Sequence, residues 1–225
     1  MRKSFDLEMM DNFSIDDERI DKALAELKII NRFLGGDSAS LKGFKIILKN
    51  NTVNHNLKVL DAGSGSSDIL LTIKKSYQRL SVFSLDLNLR ACKYALHSRL
   101  KPKIICGNVH SLPFKNSMFD VVHASLFFHH FNEDEIKEIL PALLSASKYG
   151  LIINDLRRSI FAFIGIKILT LLFSNSEMVK NDGPLSVRRG FIKKELFSIL
   201  EEMKIRTYTI RRTWAFRWLI VINKN

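Results

Sequence analysis

The stretch Leu60-Asp61-Ala62-Gly63-Ser64-Gly65-Ser66-Ser67-Asp68-Ile69 decides how this chain is read. Two glycines, one residue apart, separate an apolar run ending at Leu60 from another opening at Ile69. A glycine pair between a strand and a helix lets a ligand approach the backbone, because neither residue carries a Cβ. A dinucleotide-binding loop asks for a third glycine where this chain has Asp68. Asp61 stands at the expected strand end, two residues before the first glycine. A carboxylate there is awkward beside a pyrophosphate and suits a ligand carrying an ammonium group.

Outward from this loop, short apolar runs alternate with helical patterns. Strands are expected over 57–63, 80–86, 103–108, 119–125 and 150–156, and helices over 66–77, 88–100 and 133–149. The strands are nearly continuous in Val, Ile and Leu, as when both sheet faces are covered. Such alternation implies a parallel sheet with helices on both faces and ligand loops at the C-terminal strand ends. After a helix over 192–203, the segments 204–216 and 217–223 follow with no helix between them, so they are expected as an antiparallel pair at one edge. Ahead of the sheet, 14–36 has the pattern of a helix capped by Ser14, acidic in its first turn (Asp16, Asp17, Glu18) and stopped by Gly35-Gly36. A second helix is expected over 38–50.

A chain of 225 residues holds one well-cored domain and is short for two. Its 46% hydrophobic and 26% charged residues are those of an ordinary soluble globular protein. The first residues lack the apolar stretch of a signal peptide. Cys92 and Cys106 show no metal spacing and read as reduced core thiols of a cytoplasmic protein. The net charge of +12 is uneven, with 14 Lys/Arg against 6 Asp/Glu from Leu151 onward. It points to an anionic partner (a membrane surface, a nucleic acid or an acidic substrate) or to a solvated lysine-rich surface.

Four stretches together resemble class I S-adenosylmethionine-dependent methyltransferases. They are "LDAGSGSSD", "SVFSLDLN" with Asp86 at its strand end, "CGNVHSLPF" from Cys106 and "FDVVHASLFFHHF" from Phe119. The resemblance is strong from Leu57 to Asn154. It implies an α/β, Rossmann-like fold: a seven-stranded, mostly parallel sheet with an antiparallel C-terminal strand pair, helices on both faces and N-terminal helices as a cover. It implies S-adenosylmethionine as cofactor, with Gly63 and Gly65 at its methionine end and Asp61 reaching its amino group through water. Asp86 would accept from the ribose hydroxyls, Asn108 from the adenine amino group, and the Val109 backbone would meet the ring edge. Leu87 and Ser125 complete the expected cofactor set. Ser67 departs from the family's third small position, and Asn108 stands where an aspartate is frequent. The whole of 1–225 would be one methyltransferase domain: a helical cover over 1–50, a cofactor core over 57–155, a lid insertion over 156–191, and the last helix and strand pair over 192–225.

Methyl transfer from a sulfonium is an in-line displacement in which positive charge fades, so proximity and orientation carry most of the acceleration. A general base matters only where the acceptor has a proton to lose, as a phenol or enol does. His129 and His130, just past the fourth strand, are the base candidates, with Asp155 as another. His55, His97, His110 and His123 have no ligand spacing and are expected to be structural or on the surface, and no metal is expected. Arg157 and Arg158 could grip a carboxylate or phosphate of the acceptor, or form a solvated turn. The apolar segment Ile160 to Phe173 is too short to span a bilayer, which takes about 20 residues. It could roof an apolar substrate, lie on a membrane surface, pair with another subunit or be a core helix. Asp182-Gly183-Pro184 reads as a turn that would bring Arg188 and Arg189 to the same opening.

"INRFLGG", "NDLRRS" and "DGPLSVRRGF" are similar to bacterial small-molecule methyltransferases of the ubiquinone/menaquinone-biosynthesis and polyketide-tailoring type. The expected function is therefore methyl transfer to a small apolar or aromatic acceptor, at a hydroxyl oxygen, as in secondary metabolism. Peripheral contact with an anionic membrane and a homodimer are further expectations, with the protein in the cytoplasm or at the membrane periphery. One alternative is a membrane-binding or scaffolding protein that keeps the fold. Another is an RNA methyltransferase, supported by the basic last third; nucleic acid is not favoured, because no Asn-Pro-Pro-Tyr-like motif or RNA-binding module is visible. A nicotinamide oxidoreductase is disfavoured by Asp61 and Asp68 at the phosphate site.

Overall fold

The computed structural model describes residues 1–49, 51 and 53–224. Its seven strands are β1 (Leu57–Ala62), β2 (Leu80–Asp86), β3 (Lys103–Cys106), β4 (Phe119–Ser125), β5 (Ser147–Leu156), β6 (Tyr208–Thr213) and β7 (Arg217–Asn223). They lie in the order β3-β2-β1-β4-β5-β7-β6. The first five are parallel, and β7 runs antiparallel between β5 and β6. The helices are α1 (Glu18–Phe33), α2 (Gly36–Leu48), α3 (Leu71–Ser76), α4 (Leu89–Ala95), α5 (Glu133–Ala146), α6 (Ile160–Phe173), α7 (Glu177–Arg189) and α8 (Lys193–Glu202).

The unbroken apolar runs have a direct structural meaning. Side chains alternate across a strand, so a run of Val, Ile and Leu feeds two cores. Leu60, Val122, Leu151, Ile153 and Ile220 pack on one face with α5 and α8. Val59, Val121, Ile152, Leu219 and Val221 pack on the other with Phe44 and Ile47 of α2. The chain winds outward from β1 to β3 and returns to β4 on the opposite side of β1. That reversal opens a crevice at the C-terminal ends of β1 and β4, where ligands of such sheets bind.

Several boundaries differ from those read in the sequence. Asp17, not Ser14, caps α1, its carboxylate accepting from the Arg19 amide at 2.9 Å; Ser14 bonds back to Asn12 instead. Residues 1–17 form no strand or α-helix, only a single turn of 3-10 helix at Met9–Asp11. The helix expected over 66–77 shrinks to α3. Ser67 turns left-handed (φ 55°), and the Asp68 carboxylate is taken up by Lys28 at 2.8 Å and Ser98 at 3.1 Å. The helix expected to reach residue 149 ends at Ala146, where Ser147 enters β5.

Asp182-Gly183-Pro184 is not a turn but the middle of α7. Gly183 serves close packing, since a Cβ there would meet Ile166 and Thr170 of α6 at 3.3 Å. Cys92 is buried, and burial pushes its thiol up to about 12. Cys106 is exposed, which corrects its reading as a core thiol.

Candidate active site

A cavity of about 1150 Å³ fills the crevice and is roofed by α1, α6 and the N-terminal segment. Its floor is the β1–α3 loop. Gly63 and Gly65 both take left-handed conformations, φ 63° and 49°. A Cβ on Gly63 would sit 2.1 Å from the Phe127 ring, so this position admits glycine alone without displacing that ring. The Gly63 and Ser64 amides donate to the Leu85 carbonyl at 2.9 and 3.1 Å, seaming the loop to β2. Ser67, the departure at the third small position, is fully buried and donates its hydroxyl to Ser84 Oγ at 2.8 Å.

Asp86 ends β2 against this loop. Its two oxygens accept the Gly65 and Asn88 amides at 2.8 and 2.9 Å. Burial raises its carboxyl above the usual range despite those bonds. Asp61 is buried in the cavity wall. One oxygen bonds His123 Nδ1 at 2.7 Å, while Oδ2 has no hydrogen-bond partner. Leu87, Asn108, Val109 and Ser125 line the same cavity. Ser125 Oγ is also buried and unpartnered. Asn108 Oδ1 accepts the His110 amide at 3.0 Å, which spends one of its two lone pairs on capping a 3-10 turn.

Beyond β4, His129 and His130 sit in a 3-10 turn with ring centroids 4.3 Å apart. His129 is buried. Its Nδ1 lies 2.6 Å from Asp155 Oδ1, and its Nε2 lies 3.5 Å from Glu8 Oε1. Burial works to strip its proton, but the Asp155 charge and the bonds to Asp155 and Glu8 outweigh it and push the imidazole up to about 10. Both ring nitrogens of His129 thus face carboxylates, which favour its protonated form. Asp155 is buried too, yet the His129 charge and hydrogen bond hold it below the usual carboxylate range. His130 is partly exposed to the cavity, its Nδ1 2.9 Å from Asp11 Oδ1. Ligand atoms of Glu8, His129 and His130 all lie within 4.8 Å of one another. The charge of this cluster is balanced by the His129 proton and by the Arg189 guanidinium, 3.9 Å from Glu8 and 2.9 Å from Asp11.

Residues 59–150 match the family described as "Methyltransferase domain". Over that segment the chain is similar to a methyltransferase domain. A ubiquinone/menaquinone biosynthesis C-methyltransferase (UbiE) of Wigglesworthia glossinidia brevipalpis is 30% identical over 128 residues, 53% of this chain and 50% of that protein. A demethylmenaquinone methyltransferase of Thermotoga maritima is 31% identical over 77 residues, 34% of this chain and 33% of that one. The chain thus spans half or less of the length of these curated relatives. In fold, it is similar to the plantazolicin methyltransferase BpumL solved with SAH, with a TM-score of 0.64 at 17% identity, over 96% of this chain and 98% of the other. It is also similar to a SAM-dependent methyltransferase from Aquifex aeolicus, with a TM-score of 0.57 at 16% identity, over 80% and 88%.

Beyond residues 59–150, the last third differs from its sequence reading. Arg157 and Arg158 do not line the cavity. Arg158 is buried against Glu195 of α8, and Arg157 stacks over the Phe216 ring at 5.1 Å from its centroid. Neither is placed to grip an acceptor. Arg189 comes closer, as the RR pair after the supposed turn suggested, but it is a buried clamp. Its guanidinium donates to the His129 and His130 carbonyls at 3.1 and 2.7 Å and to the Asp6 carbonyl at 2.9 Å. Asp182 accepts the Met9 and Met10 amides at 2.8 and 3.0 Å. These bonds strap residues 6–11 across the site and bring in Glu8 and Asp11, which the sequence reading missed. The acidic spacing of Glu8 and Asp11 around an apolar pair was the one available signal.

Proposed function

We propose that this chain binds S-adenosylmethionine in the cavity and transfers its methyl group to a small apolar or aromatic acceptor, at a hydroxyl oxygen. The observation that carries the reading is Asp61 Oδ2: a buried acceptor without a partner, in the cavity wall beside two left-handed glycines. A buried polar atom is costly unless something completes it, and an ammonium group does so. Asp61 and the Gly63–Gly65 loop would hold the amino-acid end. The remaining lone pairs of Asp86 would take the ribose hydroxyls, with Leu87, Asn108 and Val109 around the base.

Bound there, the cofactor supplies a methyl group activated on a sulfonium. The chain's own residues supply orientation and dryness. Leu27, Phe13, Ile166 and Leu169 give the cavity apolar lining, which would exclude water and favour an apolar acceptor. His129, held between Asp155 and Glu8, would fix the turn that carries His130, and His130 would take the acceptor oxygen's proton.

Calorimetry tests the cofactor reading. S-adenosylhomocysteine is expected to bind the wild type, and Asp61→Ala and Asp86→Ala are expected to lose that binding; equal affinity in all three overturns it.

A further inference from the structure

Helix α6 is apolar on every side. Of its side chains only Lys167 and Thr170 are polar. A helix of that kind is ordinarily sunk in a core. Here one side packs on α7 and another, through Ala162, Ile166 and Leu169, faces the cavity. The rest is bare. Phe161, Ile164, Ile168 and Leu172 recur at helical spacing and are 73%, 48%, 52% and 67% exposed.

The bare face continues onto neighbouring elements. Glu26 of α1 binds the Ser174 hydroxyl and the Asn175 amide, which ties the end of α6 to the side of α1 carrying Ile29 and Phe33. Those two are 57% and 77% exposed. Trp214, held beside α1 by the Ala215 amide bond to the Leu34 carbonyl at 2.9 Å, is 71% exposed. Water-exposed apolar surface of this extent marks a contact site.

The charge says with what. No acidic residue lies in α6, Lys167 is exposed on it, and Arg32 stands exposed beside Phe33. The chain carries +12 overall. A second copy presenting the same face brings like charge to like charge, whereas a surface of lipid phosphates attracts it. We propose that the bare face of α6, with Phe33 and Trp214, docks on an anionic lipid bilayer. Among the described residues no helix is long and apolar enough to cross a membrane, so α6 would lie in the interface plane, its stripe sunk about 5–10 Å into the boundary between headgroups and acyl chains. Phe161 and Trp214 belong both to this face and to the cavity wall, so the cavity opens toward the bilayer.

Vesicle flotation tests the proposal with phosphatidylcholine alone and with an equal mixture of phosphatidylcholine and phosphatidylglycerol. The wild type is expected to float with the mixed vesicles and not with phosphatidylcholine. Ile168→Glu with Leu172→Glu is expected to lower that partitioning by about two orders of magnitude, the loss when two large apolar side chains no longer leave water. Both positions are exposed and outside the cavity, so the double variant folds and keeps its S-adenosylhomocysteine affinity. Flotation needs no cofactor, so failure of this proposal is distinguishable from failure of the methyltransferase reading. No flotation of the wild type, or equal flotation of the double variant, overturns it. So does a lipid-free dimer in sedimentation velocity that the same substitutions dissolve, since a second copy is then the occupant.

Discussion

Asp61 and His123 face each other across β1 and β4, in register and fully out of water, joined at 2.7 Å through Oδ1 and Nδ1. The far ring nitrogen of His123 meets Ser40 Oγ of α2 at 2.8 Å, and Asn154 of β5 donates to the same hydroxyl at 3.1 Å. The proposed cofactor carboxylate is therefore positioned by a chain of buried groups running through the sheet to the helical cover. His123→Leu leaves Asp61 without a partner on either oxygen. It is expected to destabilise the protein by about 3 kcal/mol and to weaken S-adenosylhomocysteine binding, with denaturant melts and calorimetry as the two readouts.

The two glycines of the loop separate in their consequences. Gly63→Ala drives a Cβ to within 2.1 Å of the Phe127 ring and strains a left-handed residue. Gly65→Ala meets Leu24 at an ordinary 3.5 Å and adds backbone strain alone, about 1 kcal/mol. Cofactor affinity is expected to vanish in the first variant and to fall about fivefold in the second, measured by calorimetry.

His129 and His130 are expected to differ in kind. His130→Gln, assayed on a hydroxyl acceptor, should lower kcat about 100-fold while leaving the cofactor KM nearly unchanged. His129→Gln removes the cation between Glu8 and Asp155, so its loss should appear as instability of about 3–5 kcal/mol as well as lost turnover.

Stability should fall on the alkaline side. His129 titrates near 6.5 when unfolded and about 10 when folded. Its contribution is complete below pH 6.5 and is lost as pH rises through about 10. Asp11 has the opposite sign. Burial opposes its charge, but His130 and Arg189 hold it at about 2 against 3.8, so its contribution is present above pH 3.8 and lost as pH falls through about 2. Thermal melts are expected to show a wild-type Tm declining from pH 6.5 toward 10 and a flatter profile in His129→Gln.

The N-terminal strap should loosen with its clamp. Arg189→Ala removes the donors to the His129, His130 and Asp6 carbonyls. Limited proteolysis is expected to cut within residues 1–13 of this variant well before the wild type.

The sheet was legible because each strand is a local apolar run, and the loop because glycines and acids at fixed offsets carry their chemistry in the sequence itself. The clamp was not. Arg189 and Asp11 are 178 positions apart, and no periodicity connects them. Asp182-Gly183-Pro184 misled for a related reason: local turn chemistry lost to tertiary packing, since Gly183 admits α6 and Asp182 caps the strap's amides. The charge on His129 was not legible, because one of its two carboxylate partners, Glu8, lies 121 positions away and only the fold brings it there. Arg157 and Arg158 carried no signal that α8 and Phe216 would claim them.

The most direct measurement is a crystal structure of the protein soaked in S-adenosylhomocysteine. The ligand's ammonium group is expected at Asp61 Oδ2, directly or through one water, with its ribose hydroxyls on Asp86. An empty cavity at saturating ligand, or an ammonium group remote from Asp61, contradicts the assignment.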